Sequence, residues 1–272
     1  MVEMMDTNNE SKKEKDTSVT TTIAISNQKG GVAKTTTCLS LGACLAELKQ
    51  SVLLIDLDPQ AHLTVSLGFK PQELRRAVDE ALLGNASLVS VSRESSIFGL
   101  DIVPANRMLI VLDKILYGRP GYQFHLKKGL DAMGHGFYDY VLIDCPPSFG
   151  TLTLNALTAA DLLIIPAQCD YFAAYSLRHF VKIVQQVRAK TNPWLIYKVL
   201  VTMYDRRNKI CQVILDQMQR GLNSVLFDTI IEVDTKLRES PAFGQPITVY
   251  APKTRGTAQY RALAKELMNH AG

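Results

Sequence analysis

No apolar run in the sequence approaches the ~20 residues needed to cross a bilayer, so a membrane-spanning helix is not expected. The first twenty residues lack a hydrophobic h-region, which argues against a secretory signal. Cysteine is scarce: Cys38, Cys44, Cys145, Cys169 and Cys211 make an odd number with no CxxC pair. That usage suits free thiols in a reducing compartment better than a disulfide framework. The five histidines show no metal-ligand spacing and receive no role. Internal repeats and interdomain linkers are also missing. What remains is a globular balance, 47 % apolar and 21 % charged over 272 residues, enough for one α/β domain with a sizeable core.

The net charge of +4 hides an uneven spread. Residues 1–20 hold five acids and three lysines and read as a disordered polar tail, with a single domain expected over residues 21–272. Residues 198–272 hold eleven basic and seven acidic side chains, so most of the positive excess lies in the last quarter. A basic face there favours a polyanion, although ordinary solvated charge accounts for it equally well.

Short apolar runs at residues 21–26, 52–56, 100–104, 140–144, 161–166 and 197–202 read as buried strands. Helical or loop sequence separates them, beginning with a helix expected over residues 35–49. This alternation predicts an α/β fold: a doubly wound, mainly parallel sheet with helices on both faces. Ligands of such sheets bind at the carboxyl ends of the strands, where the polar residues of this sequence collect. Residues 69–107 give no clear pattern.

Between the first strand and helix lies Ser26-Asn27-Gln28-Lys29-Gly30-Gly31-Val32-Ala33-Lys34-Thr35-Thr36. A loop that cradles phosphates needs small residues, a helix N-terminus beyond, and a lysine to reach the β- and γ-phosphates. Gly30, Gly31 and Lys34 meet these needs, and Thr35 offers a hydroxyl to Mg²⁺. The common Gly-x-x-x-x-Gly-Lys-Ser/Thr pattern is not met, because Gln28 and Ala33 replace its two glycines. Ala33 is tolerated if its φ is negative.

The second lysine decides the likeness. Lys29-Gly30-Gly31-Val32-Ala33-Lys34-Thr35-Thr36 resembles the deviant Walker A loop of the ParA/MinD ATPases (SIMIBI class), particularly the ParA/Soj partitioning type. The resemblance implies ATP/ADP and Mg²⁺ as ligands and a homodimer formed with ATP. In that dimer Lys29 reaches the nucleotide of the other subunit. Asp56-Leu57-Asp58-Pro59-Gln60 resembles the family's second signature, placing Asp58 at the hydrolytic water and Asp56 in the metal shell. On an extended chain those two side chains share a face. Asp144, ending an apolar run, resembles the Walker B acid that binds a Mg²⁺ water, with Thr35 completing the metal set.

The likeness covers roughly residues 21–270. Its base-side segments place Met203, Val233, Asp234 and Pro241 near the nucleotide, although Glu232-Val233-Asp234 stands where the family usually has Pro-Arg-Asn. By position, Arg207 and Lys236 match residues that bind DNA without sequence preference, and Arg206, Lys209, Arg238, Lys253 and Arg255 widen the patch. The implied activity is slow, partner-stimulated ATP hydrolysis, with a ParB-like activator and a cytoplasmic, nucleoid-associated location. Rival readings are the same switch moving another cargo, such as a carboxysome or chemoreceptor cluster; a membrane-bound MinD-like ATPase; and an iron–sulfur protein ligated through Cys145 and Cys169. The short final helix, with Glu266 inside it, speaks against an amphipathic membrane anchor.

Overall fold

The computed structural model describes residues 19–134, 136–171 and 173–270. The polar tail expected over residues 1–20 lies outside the described residues up to residue 18. Seven strands build the sheet: β1 (Thr21–Ile25), β2 (Val52–Asp56), β3 (Arg93–Glu94), β4 (Leu100–Val103), β5 (Tyr140–Asp144), β6 (Leu162–Gln168) and β7 (Ile196–Thr202). The helices that follow the first two strands are α1 (Lys34–Glu47) and α2 (His62–Ser66). Next come α3 (Val78–Leu82), α4 (Leu88–Val91), α5 (Met108–Leu116), α6 (His125–Met133), α7 (Thr151–Ala159) and α8 (Ala173–Lys190). The last quarter adds α9 (Lys209–Leu222), α10 (Thr235–Glu239), α11 (Ile247–Tyr250) and α12 (Arg255–His270).

The strand order is β3-β4-β2-β5-β1-β6-β7, parallel throughout except for β3, which runs against β4. Alternation of side chains divides the core. Ile23, Ile25, Leu54 and Leu142 face α1 and α12, while Ala24, Leu53, Ile55, Val141 and Ile143 face the opposite layer, where Leu109, Leu157, Phe180 and Leu215 pack. Both faces are buried, so the strands are continuously apolar, as the sequence suggested. Gly42 lets α1 lie close to the sheet: a Cβ there would come within 2.7 Å of Leu54 Cδ2.

Residues 69–107 resolve into α3, α4, the two-residue β3 and β4. Helices of four or five residues carry too few turns to display a period, which is why this stretch resisted reading.

Because six of the strands are parallel, their carboxyl ends share one edge. Asn27, Asp56, Asp144, Gln168 and Thr202 come from the ends of five different strands, and the loop from β1 to α1 crosses among them.

Candidate nucleotide site

Three neighbours pin the loop between β1 and α1. Asn27 Nδ2 donates to the Pro166 carbonyl at 2.7 Å, and its Oδ1 accepts from the Lys29 N–H at 3.0 Å. Gln168 Nε2 donates to the Gly31 carbonyl at 2.9 Å, and Thr202 Oγ1 to the Val32 carbonyl at 3.1 Å. These bonds tie the loop to the ends of β6 and β7 and occupy its carbonyls. Gly30 and Gly31 have nothing within 4 Å of where a Cβ would project, so the space over the loop is open.

Ala33 corrects an expectation. Its φ is 66°, the left-handed region, and not negative. The position therefore keeps the conformation for which the common pattern uses glycine, at a cost of ~1–2 kcal/mol to an L-residue.

Beyond Ala33, α1 begins with Lys34, whose side chain is buried and whose ammonium donates to the Lys29 carbonyl at 3.3 Å. Burial lowers the Lys34 pKa, while the nearby Asp144 and Asp58 carboxylates pull it back up. Thr35 Oγ1 donates to Asp144 Oδ2 at 2.7 Å. The other oxygen of Asp144, fully buried, has no hydrogen-bond partner. Burial and the adjacent Asp56 raise the Asp144 pKa well above the carboxylate range, against the Thr35 hydroxyl and Lys34. Two buried carboxylates side by side with an orphaned oxygen need a cation, and the residues fit hydrated Mg²⁺ held by Thr35 and Asp144. Among the described residues no three His, Cys, Asp or Glu form an all-protein metal cage. Mg²⁺ bound jointly with phosphates requires none.

Asp56 is engaged elsewhere. Its Oδ1 accepts from the Asp58 N–H at 3.1 Å, and its Oδ2 from the Thr64 N–H and hydroxyl at 2.9 and 2.7 Å. Burial pushes its pKa to about 7 in spite of these bonds. The extended geometry expected for Asp56 and Asp58 ends with β2 at Asp56, and the first acid anchors the turn that carries the second. Asp58 accepts from the Gln60 N–H at 2.9 Å and lines the cleft.

That cleft, about 460 Å³, runs from Gly30, Gly31, Ala33, Lys34, Thr35 and Thr36 past Asp58 to Met203, Val233 and Asp234. Pro241 is not among its lining residues; it borders a neighbouring pocket with Thr35, Thr36 and His62. Lys29 is not in the lining either. Its ammonium pairs with Asp170 and lies 3.5 Å from Gln168 Oε1. Val32 is fully buried and is also outside the lining.

A family model described as an AAA domain matches residues 20–197. The sporulation initiation inhibitor protein Soj of Bacillus subtilis is 38% identical over 246 residues, 90% of this chain and 97% of that protein. The chromosome partitioning protein ParA of Caulobacter vibrioides is 38% identical over 249 residues, covering 91% and 93%. A solved structure described as cobyrinic acid a,c-diamide synthase from Mycobacterium smegmatis, with bound ATP analog and magnesium, matches with a TM-score of 0.82 at 37% identity, covering 93% and 96%. McdA of Cyanthece shares the fold, with a TM-score of 0.81 at 22% identity over 92% and 100% of the two chains.

The chain belongs to the ParA/Soj family of P-loop ATPases.

In this ATPase the cleft wall at Val233 and Asp234 is a structural junction. Asp234 Oδ1 caps α10 by accepting from the Lys236 N–H at 2.9 Å, and Oδ2 accepts from the Gly256 N–H, also at 2.9 Å, at the start of α12. Tyr260 of α12, buried, reaches Thr37 Oγ1 at 3.0 Å and lines the same cleft. Four of the candidate DNA residues are paired. Arg207 lies beside Asp205 in a two-bond contact at 3.0 Å, and Lys236 beside Glu239 at 2.6 Å. Arg206 and Arg255 both meet Glu232.

Sequence reasoning missed Asn27, Thr64, Gln168, Asp170, Thr202, Glu232 and Tyr260. Their only signal is position: four lie on or just beyond the carboxyl ends of β1, β6 and β7.

Among the described residues no helix is long and apolar enough to cross a membrane. Helix α12 buries Tyr260, Leu263, Ala264 and Leu267 in the core, so these side chains are taken up by packing. Cys145 and Cys169 are buried thiols, which makes them poor ligands for a shared cluster.

Proposed function

We propose that this ATPase is a partitioning switch whose ATP-bound dimer binds DNA without sequence preference and lets go after hydrolysis. The observation that carries the reading is the division of labour between two lysines of one loop. Lys34 is buried among the acids of its own cleft, whereas the Lys29 ammonium is turned from that cleft onto Asp170 and Gln168. A long cationic side chain at the edge of a phosphate site is suited to a nucleotide held by a second chain. In this reading the cargo is DNA, a chromosome or plasmid, and a ParB-like protein on it is the activator; of the relatives, ParA is named for chromosome partitioning.

ATP would lie with its phosphates over the N–H groups of residues 30–36 and its base toward Met203, Val233 and Asp234. Mg²⁺, held by Thr35 and Asp144, would neutralise charge on the β- and γ-phosphates. Lys34 reaches the same oxygens from the start of α1. Asp58 orients the attacking water and takes its proton as the bond from γ-phosphorus to the bridging oxygen breaks, releasing ADP and phosphate. Asp56, through its bond to the Asp58 N–H, holds that carboxylate in place. With the weakly basic Asp58 carboxylate as the base, basal turnover is slow, leaving the timing to an activator.

Two experiments test the reading. Asp58→Ala with ATP and Mg²⁺ should accumulate as a dimer by light scattering, with hydrolysis lowered at least ~100-fold; a monomer under these conditions refutes the switch. Charge reversal of Arg207 and Lys236 together should remove ATP-dependent retention on DNA while leaving that dimer intact. Retention unchanged would move the DNA surface elsewhere.

A further inference from the structure

Arg206 and Arg255 come from distant parts of the chain, the turn after β7 and the first residue of α12, yet converge on one carboxylate. Arg206 donates from Nε to Glu232 Oε2 at 2.9 Å and from a terminal nitrogen to Oε1. Arg255 lies 3.1 Å from Oε2, and Gln259 Nε2 donates to Oε1 at 3.2 Å. The Glu232 side chain is only 10% exposed, while those of Arg206 and Arg255 are 63% and 51% exposed. Two solvent-facing guanidinium groups thus share an anion that sits behind them and belongs to the chain.

A phosphate diester and a carboxylate make the same demand on a guanidinium: two coplanar acceptor oxygens. We propose that Glu232 competes from within the chain with nucleic-acid phosphates for Arg206 and Arg255, and so limits how tightly the protein holds DNA. This rests on the DNA-binding reading above. An internal carboxylate faces its partners at high effective concentration, whereas an incoming phosphate must displace it. Those bonds also hold the Glu232 carboxyl below its ordinary range in spite of its burial, the Arg206 bond contributing most. Removing the acid frees two guanidinium groups for phosphate contacts, and each contact steepens the salt dependence on duplex DNA by ~0.9 in log–log slope. A switch that has to release its track gains from such a brake.

The test uses the full chain with Mg²⁺ and a slowly hydrolysed ATP analogue, titrated with salt on duplex DNA of random sequence. Glu232→Gln should bind about five- to tenfold more tightly at physiological salt, with a slope steeper by roughly one to two. Arg206→Ala with Arg255→Ala should weaken the native protein less than about threefold, yet abolish the gain when combined with Glu232→Gln. The arginine pair in the native background remains decisive even if Glu232→Gln does not fold. Equal or weaker binding by folded Glu232→Gln, or an approximately tenfold loss from the arginine pair in the native background, overturns the competition and leaves the DNA reading standing. If neither the wild type nor Glu232→Gln is retained at ~50 mM salt, the DNA reading falls and the competition with it.

Discussion

At the last loop position before Lys34, Ala33 holds φ 66° and ψ 33° while capping α1 without a side-chain bond. Glycine would relieve the Cβ contact that opposes this conformation, offset in part by a freer unfolded chain. Ala33→Gly should therefore stabilise the protein by about 1 kcal/mol, read as a rise of roughly 2–4 °C in Tm. A fall in Tm would mean that Ala33 is not strained. The two lysines should separate cleanly. Lys34→Ala should lose nucleotide affinity by at least about tenfold, since a buried charge-assisted contact to phosphate is removed. Lys29→Ala should bind nucleotide nearly as the wild type does but fail to dimerise, measured by fluorescent-nucleotide titration beside light scattering. Loss of affinity in both would place Lys29 in its own subunit's site.

Helix α10 is five residues long and could not persist alone. Asp234 gives it a cap and binds it to the start of α12, with Gly256 allowing the approach: a Cβ there would lie 3.0 Å from Asp234 Oδ2. Asp234→Ala should cost about 1–2 kcal/mol, from one lost cap and one stranded N–H, and should weaken nucleotide binding because the base-side wall loosens. An unchanged urea midpoint would count against the junction. The sequence displayed the elements of this protein unequally. α1 and β2 were legible because their apolar periods run for several residues, and the phosphate loop because its chemistry restricts residue choice. The α10 region was legible only through family likeness, and its caps not at all: an Asp two residues before a Lys has many ordinary explanations.

Over the whole molecule, burial and charge pairing set what reagents and pH can reach. Cys38, Cys44, Cys145 and Cys169 are buried, and burial pushes the Cys44 and Cys169 thiols up to about 12. Cys211 is the partly exposed thiol among the five. A thiol reagent at neutral pH should therefore modify one cysteine quickly in the native protein and all five after unfolding. Rapid modification of two or more would show that the core opens locally. The Glu232 ion pairs give a pH signature. Its folded pKa lies below the ordinary 4.5, so the stability it contributes is present above 4.5 and is lost as the pH falls through the folded value. Glu232→Gln should be less stable than the wild type near neutrality, with the difference shrinking below pH 4.5 in thermal melts. A difference constant with pH would mean that the lost stability is not that of a charge.

By itself the sequence determined the parallel sheet and the phosphate loop, because continuous apolar strands and a Lys-Gly-Gly turn before a helix each have few physical uses. Tertiary structure decided what each acid is for. Asp56, Asp144 and Glu232 are all carboxylates in or beside strand-like sequence, but one anchors a turn, one keeps an oxygen without a partner, and one holds two arginines. A carboxylate's task is fixed by the donors that surround it, and those donors arrive from residues 8 to 109 positions away, such as Thr64 to Asp56 and Thr35 to Asp144. No local pattern specifies such meetings; they exist only once the strands have paired.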